Sequence, residues 1–121
     1  MTPDELLDSL FAAISARDVD AVAELYDPEM RFWTNASRRT IERAGSLKIL
    51  EAFTARVASA RYEVLERRHW DGGAMQRHVL HIRVGESDHE IDVCIVFAFS
   101  GERISRIWEY VDGRALAPLG W

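Results

Sequence analysis

The chain has little cysteine, no long hydrophobic run and no excess of basic charge. Cys94 is the single cysteine in 121 residues, so an internal disulfide and a zinc site built from several thiolates are both excluded. No apolar run reaches the roughly 18 residues that a membrane-spanning helix needs. Because 20 acidic residues outnumber 15 Lys and Arg, the formal net charge is −5, which argues against nucleic acid as a partner.

The remaining composition is that of one globular domain. The chain is 48% hydrophobic and 29% charged, and its length suffices for a substantial core, so we predict a single domain spanning residues 1–121. The first five residues are acidic and show no signal-peptide pattern, which predicts a cytoplasmic protein. The four histidines lack the converging spacing of metal ligands, and we expect neither a metal nor another cofactor.

Three helices are predicted in the first half of the chain. Thr2 and Glu5 can form a capping box for the first helix. Asp18 is the expected N-cap of a short second helix, which ends before Pro28. Ser46 is the expected N-cap of the third. Apolar residues at helical spacing mark the buried face of the first helix: Leu7, Leu10, Phe11 and Ile14.

Strand structure is predicted where the hydrophobic period changes to two, after the third helix. The expected strands are Arg61–Trp70, Met75–Val84, Glu90–Phe99 and Ile104–Val111, with a short earlier strand at Met30–Thr34. The polar segment Asn35–Gly45 predicts a loop. Helices followed by a meander of long strands predict an α+β domain, with three N-terminal helices packed on a curved, mainly antiparallel sheet that can enclose a pocket.

Hydrophobic and charge pairing predict the strand register. With the second hairpin centred on Glu86-Ser87 and a final turn of three residues, the expected neighbours are Ile82–Ile91, Leu80–Val93, His78–Ile95, Ile95–Ile107 and Val93–Glu109. The register of the first hairpin stays open. The inner face of the sheet then comprises Gln76, His78, Leu80, Ile82, Ile91, Val93, Ile95, Phe97, Ile107 and Glu109.

The outer face of the last strands stays apolar where a solvated sheet would alternate to polar residues. It comprises Cys94, Val96, Ala98, Trp108 and Tyr110. With all three helices on the inner side, a second copy of the chain is the simplest cover. We therefore predict a homodimer through this face.

These features resemble a known family. The segment Leu10–Asp20, the pair Leu25-Tyr26 and the closing hairpin Phe97–Asp112 are similar to the SnoaL-like and ketosteroid-isomerase-like proteins of the nuclear transport factor 2-like fold. The resemblance covers nearly the whole chain and implies a cone-shaped α+β barrel with a deep pocket, usually in a homodimer. The family includes isomerases, cyclases, epoxide hydrolases and proteins without known chemistry, so the fold leaves the function open.

The catalytic residues of ketosteroid isomerases are missing here. Their tyrosine on the first helix corresponds to Leu10, and their general-base aspartate corresponds to Thr34 or Asn35. Their oxyanion-hole aspartic acid falls near Ile95. The resemblance therefore does not imply steroid isomerisation by that mechanism.

Two other branches of the family match in part. Limonene-epoxide hydrolases have an asparagine after the first strand and a carboxylate on the last strand, which resemble Asn35 and Glu109. Their Arg-x-Asp has no counterpart in Gln76-Arg77-His78, so a water-activating network would have to use His78. SnoaL-type cyclases have a carboxylate after a tryptophan near the C-terminus, a position that Asp112 resembles.

Glu109 is the strongest catalytic candidate, because desolvation on an apolar face raises the pKa of a carboxylate towards that of a useful general base. A register error would instead leave it in solvent. His78 is either an acid–base partner or a satisfied core histidine. Asn35 either orients a substrate or caps a loop, and Asp112 is either catalytic or a turn residue. The predicted substrate contacts are Trp33, Trp70, Gln76, Leu80, Ile95 and Tyr26.

Two functions remain at this point. The first is an enzyme acting on a hydrophobic small molecule by cofactor-free acid–base catalysis, with Glu109 as base and with His78 and Asn35 positioning the substrate or a water. The second is a non-catalytic ligand-binding or dimerisation module. Two or more titratable groups converging in the pocket would favour the enzyme, whereas an apolar floor would favour the binding module.

Overall fold

Helices cover one face of a six-stranded mixed sheet in the computed structural model, which describes residues 1–120. In chain order the elements are α1 (Pro3–Ser15), α2 (Val19–Leu25), β1 (Tyr26–Thr34), β2 (Arg39–Glu42), α3 (Arg43–Arg56), β3 (Ser59–Trp70), β4 (Gly73–Val84), β5 (Ser87–Ser100), β6 (Arg103–Val111) and α4 (Gly113–Leu116), followed by a 3₁₀ turn, Ala117–Leu119. The strand order is β2-β1-β6-β5-β4-β3, and β1 and β6 are the parallel pair.

This architecture confirms the predicted α+β class, and the sheet is open. The short edge strand β2 and the helix α4 add to the predicted elements. The predicted domain of residues 1–121 extends one residue beyond the part that the structure describes. No helix within that part is long and apolar enough to cross a membrane.

Local capping chemistry explains where two of the helices begin. The Thr2 hydroxyl accepts a hydrogen bond from the Glu5 amide at 3.1 Å, and the Glu5 carboxylate accepts one from the Thr2 amide at 3.0 Å. Asp18 accepts from the amide of Ala21 at 3.1 Å. The predicted cap of the third helix is wrong. α3 begins at Arg43, directly after β2, and Ser46 is a buried residue of its first turn.

Two predicted boundaries around β1 are also wrong. The segment predicted as a loop, Asn35–Gly45, contains β2 and the start of α3. Its polar residues suit an edge strand whose side chains are mostly exposed. β1 begins at Tyr26 rather than Met30. Tyr26 already pairs with β6, and the pairing is then interrupted until Arg31. Pro28 lies in that interruption, where it removes no ladder hydrogen bond.

The predicted pairings of β4, β5 and β6 are each displaced by two residues. Val84 pairs with Ser87, so the turn is Gly85-Glu86, and Gly85 has the positive φ of 59° that such a tight turn favours. The last turn holds two residues rather than three, and β6 carries one unpaired residue, Ser105. The observed neighbours include Leu80–Ile91, His78–Val93, Ile95–Glu109 and Phe97–Ile107.

A displacement of two residues keeps every side chain on its predicted face, because side chains alternate along a strand. The ten residues predicted for the inner face are accordingly buried or partly buried. The hydrophobic core lies between this face and the buried side chains of the first helix, Leu6, Leu7, Leu10 and Phe11. The face that the sheet presents to the helices was therefore predicted correctly, although the pairing was not.

Candidate functional site

A cavity of about 430 Å³ lies between α1, α3 and the inner face of the sheet. This volume is within the range of roughly 300–1,000 Å³ that is common for small-molecule sites. Most of the lining is apolar: Leu10, Phe11 and Ile14 of α1, Ile49, Leu50 and Phe53 of α3, and Leu80, Ile91, Val93, Ile95, Phe97 and Ile107 of the sheet. A few polar side chains therefore determine the chemistry of this space.

Glu109 lines the cavity from β6. Its strand neighbours are Ile95 on β5 and Thr34 on β1. Burial raises the pKa of the Glu109 carboxyl from 4.5 to about 7, and a hydrogen bond from the Thr34 hydroxyl opposes that rise. A carboxyl group with a pKa near neutrality can accept a proton at one moment and release it at the next, as general acid–base catalysis requires.

His78 lines the same cavity from β4 and is only 1% exposed. Its ring packs edge-on against Phe11 and Tyr62, with ring centroids 5.4 and 5.1 Å apart. Its Nδ1 lies 2.9 Å from Nε2 of Gln76. Burial, aided by the positive charge of Arg67, lowers the pKa of His78 from 6.5 to about 4. The imidazole is therefore neutral at neutral pH.

Two tyrosines add hydroxyl groups to the cavity, Tyr26 at the start of β1 and Tyr62 on β3. Burial raises the pKa of Tyr26 to about 12, a hydrogen bond with Ser46 opposes the rise, and the nearby Glu109 carboxylate adds to it. Burial also raises the pKa of Tyr62, with smaller contributions from Glu109 and Tyr26. Both phenols stay protonated at neutral pH and can act as hydrogen-bond donors near Glu109.

Glu109 and His78 lie on the same wall, two strands apart. Glu109 is in one cross-strand row with Ile95 and Gln76, and His78 is the next inner-face residue along β4. With strands about 4.8 Å apart and inner-face residues about 7 Å apart along a strand, their Cα atoms are separated by roughly 12 Å. One small ligand could contact both side chains.

Asn35 and Asp112 do not line the cavity. The Asn35 side chain accepts a hydrogen bond from the Val111 amide at 2.9 Å and donates one to the Val111 carbonyl at 3.1 Å. It thus joins the end of β1 to the end of β6. Asp112 caps α4 by accepting from the Arg114 amide at 3.0 Å. Asp112 thus has the turn role that was the alternative to catalysis, whereas Asn35 links two strand ends rather than capping a loop.

The predicted substrate contacts divide in the same way. Tyr26, Leu80 and Ile95 line the cavity, but Trp33, Trp70 and Gln76 do not. Trp33 faces outward and packs on Tyr110 at 5.2 Å, because strand alternation directs its neighbour Phe32 inward. Gln76 is on the inner face but lies beneath His78, fully buried.

Trp70 is exposed and lies across Gly73, with which it pairs. A Cβ atom at Gly73 would lie 2.3 Å from the Trp70 indole nitrogen, so the glycine makes room for this ring. The first hairpin register, which the sequence left open, decides this placement. A bulge between Val64 and Glu66 reverses the alternation along β3, so that Tyr62 faces inward opposite Leu80. Tyr62, Ser46 and Arg56 are polar cavity residues that the sequence analysis missed.

Comparison with known proteins identifies the family to which this chain belongs. The sequence matches the family model described as a SnoaL-like domain over residues 7–107, so the chain belongs to the SnoaL-like family. No curated protein matched the sequence. Within residues 1–120, no three His, Cys, Asp or Glu side chains are grouped as metal ligands would be.

Solved structures show the same fold at low sequence identity. IdmH of Streptomyces antibioticus, a proposed polyketide cyclase, superimposes with a TM-score of 0.86 at 16% identity, covering 100% of both chains. An LEH-like epoxide hydrolase of M. tuberculosis gives 0.78 at 16% identity, covering 94% of this chain and 85% of the other. A ketosteroid-isomerase-like protein of Catenulispora acidiphila with bound trimethylamine gives 0.80 at 16% identity, covering 99% and 95%.

Proposed function

We propose that this protein is an enzyme that acts on a hydrophobic small molecule by acid–base catalysis within the cavity. The observation that carries the proposal is the presence of Glu109 and His78 in one mostly apolar cavity, where each is desolvated. Solved structures of the same fold that are named as a proposed polyketide cyclase and an epoxide hydrolase support the choice of class. Neither group requires a cofactor for the roles assigned below.

Glu109 is the proposed base. Its carboxylate takes a proton from carbon next to a carbonyl group, and the electrons of the broken C–H bond form the C=C bond of an enolate. The negative charge that develops on the carbonyl oxygen is stabilised by hydrogen bonding to neutral His78, which is 1% exposed and lies on the same cavity wall as Glu109. Return of the proton from Glu109 to carbon completes the cycle, so atoms and charge balance. Asn35 and Asp112 are left out of this chemistry because they lie outside the cavity.

The simplest test follows proton exchange rather than a complete reaction. The probe 2-tetralone is an apolar bicyclic ketone with acidic α-hydrogens, small enough for a cavity of about 430 Å³. In D₂O, enzyme-catalysed enolisation replaces these hydrogens with deuterium, which proton NMR measures directly. Wild-type protein should accelerate the exchange, and Glu109→Gln should reduce the protein-dependent rate on the order of 10²-fold or more.

A matched control uses the adjacent residue. Tyr110 lies next to Glu109 but on the outer face of the sheet, so Tyr110→Phe should leave the exchange rate unchanged. Saturable binding of 2-tetralone with no exchange above background would contradict the catalytic proposal. It would favour the second function, a ligand-binding module, which the predominantly apolar lining also suits.

We also propose that the protein forms a homodimer through the outer face of its sheet. The outer face carries Trp33, Trp108 and Tyr110, and the Trp108 ring lies beneath the Arg106 guanidinium at 5.0 Å. Tyr110 is 47% exposed in the single chain. Trp33 and Trp108 are partly buried. Aromatic residues that remain accessible on a sheet face are a common dimer surface. Sedimentation at micromolar concentration tests this; a monomer would contradict it.

A further inference from the structure

A chain of polar side chains connects α1 to the cavity histidine. Arg67 of β3 donates through Nη1 to Asp4 at 3.0 Å and to Asp8 at 2.8 Å, both on α1. The same guanidinium donates through Nε and Nη2 to Oε1 of Gln76, at 2.9 and 2.6 Å. Gln76 in turn contacts His78. The Arg67 side chain is 14% exposed, and Gln76 is fully buried.

The donors in this chain can be assigned from chemistry alone. A guanidinium has only N–H donors, so the Gln76 atom that faces Arg67 must be the amide oxygen. The amide nitrogen then faces His78, and an amide nitrogen can only donate. The reverse orientation of Gln76 would bring donors against donors at two positions, which excludes it. His78 Nδ1 must therefore be the acceptor, without a hydrogen.

A neutral imidazole carries one hydrogen, so the hydrogen of His78 is on Nε2. Gln76 occupies the Nδ1 side of the ring, and Phe11 and Tyr62 pack against the ring itself. Among residues 1–120, Nε2 has no hydrogen-bonding partner. Because His78 lines the cavity, Nε2 is the ring nitrogen that faces it.

We infer that Arg67 and Gln76 are positioning residues that fix His78 in the tautomer presenting Nε2–H to the cavity. His78 is then a permanent hydrogen-bond donor for a ligand oxygen and cannot serve as the base. The role of this donor during turnover rests on the proposed function, but the tautomer itself does not. The carboxylates of Asp4 and Asp8 on α1 bind the Arg67 guanidinium and so fix its position against Gln76.

The test is nitrogen-15 NMR of the ligand-free protein labelled at histidine and glutamine. At neutral pH His78 should show a bare Nδ1 and a protonated Nε2. A scalar coupling across the hydrogen bond should link Gln76 Nε2 to His78 Nδ1, which needs no variant. A protonated Nδ1 in the wild-type protein would overturn the inference. Since no ligand is present, this outcome is separable from failure of the 2-tetralone exchange.

Gln76→Glu tests whether Gln76 sets the tautomer of His78, because a carboxylate can only accept a hydrogen bond from the ring. In this variant His78 Nδ1 should become protonated, whether the ring stays neutral or gains a charge. Arg77→Gln is the matched control: it changes the net charge by the same amount at the adjacent residue, which is exposed and points away from the cavity. It should leave the His78 spectrum unchanged. Retention of a bare Nδ1 in folded Gln76→Glu would also overturn the inference.

Discussion

The two faces of the sheet differ in how they accommodate polar groups. The inner face is largely apolar, whereas the outer face combines aromatic residues on β1 and β6 with charged residues on β3, β4 and β5. On the inner face, α1 and α3 cover the strands, and the pKa values of Glu109 and His78 are both displaced towards the neutral form of the side chain. On the outer face, Tyr110 is 47% exposed, and His81 pairs with exposed Glu63 at 2.8 Å. Burial beneath helices, rather than residue type, separates a candidate catalytic group from a solvated one.

Strand alternation makes this comparison open to experiment. Adjacent residues such as Glu109 and Tyr110, or Arg67 and Arg68, lie on opposite faces of the same strand. Substituting one member of a pair probes the cavity, and substituting the other controls for changes to the strand. The expected effects below are arranged from the largest to the smallest.

Replacing Glu109 should change how stability depends on pH. The folded-state pKa of about 7 lies above the ordinary value of 4.5, so the stability gained from keeping Glu109 neutral is complete below about pH 4.5 and is lost as pH rises through about 7. The loss is about 3 kcal/mol in the wild type, at ~1.4 kcal/mol per pKa unit, and Glu109→Gln should not show it. Urea unfolding at acid and alkaline pH measures the difference. Parallel pH profiles for the two proteins would contradict the assignment.

The Arg67 and Arg68 pair should differ in stability. Arg67→Met leaves the buried Gln76 oxygen without its donor and should cost about 1–3 kcal/mol. Arg68 has an exposed side chain paired with Glu66, so Arg68→Met should cost under about 1 kcal/mol. Chemical unfolding of both variants at one pH measures the gap. Equal losses would show that the polar chain to His78 contributes little to the fold.

On the outer face, Trp108→Ser should weaken self-association by roughly tenfold or more, since a tryptophan at the centre of an interface contributes strongly. It should leave 2-tetralone exchange per folded chain unchanged, because Trp108 does not line the cavity. Sedimentation across a concentration series measures the first effect. Unchanged association would place the dimer contact elsewhere.

Strand alternation makes the faces of β4, β5 and β6 predictable. For the same reason, a pairing error of two residues leaves each side chain on its predicted face. Glu109 and His78 were assigned to the inner face from their neighbours alone, and the structure places both in the cavity. Tyr62 could not be placed from the sequence, because the Gly72-Gly73 turn leaves the register of the first hairpin open and a bulge between Val64 and Glu66 reverses the alternation along β3. Trp33 and Trp70 are predicted to line the pocket because flat apolar rings suit a pocket wall, an argument that carries no information about the face they occupy.

The network behind His78 also lay beyond prediction from sequence. Arg67 and Gln76 are nine residues apart in the chain and meet only because β3 and β4 pair them directly. Asp4 and Asp8 are one helical turn apart on α1, a spacing that predicts a shared face but not the partner of that face. Strand register and helix placement decide such contacts, and local sequence patterns predict neither.

The proposed catalysis requires that Glu109 is a desolvated carboxyl group able to exchange protons near neutral pH. Direct titration by carbon-13 NMR of the glutamate side-chain carboxyl carbons, with Glu109→Gln used to assign the resonance, measures this in the ligand-free protein. One glutamate should titrate with a pKa of about 7, and its resonance should disappear in the variant. A Glu109 resonance that titrates near the ordinary value of 4.5 would contradict it.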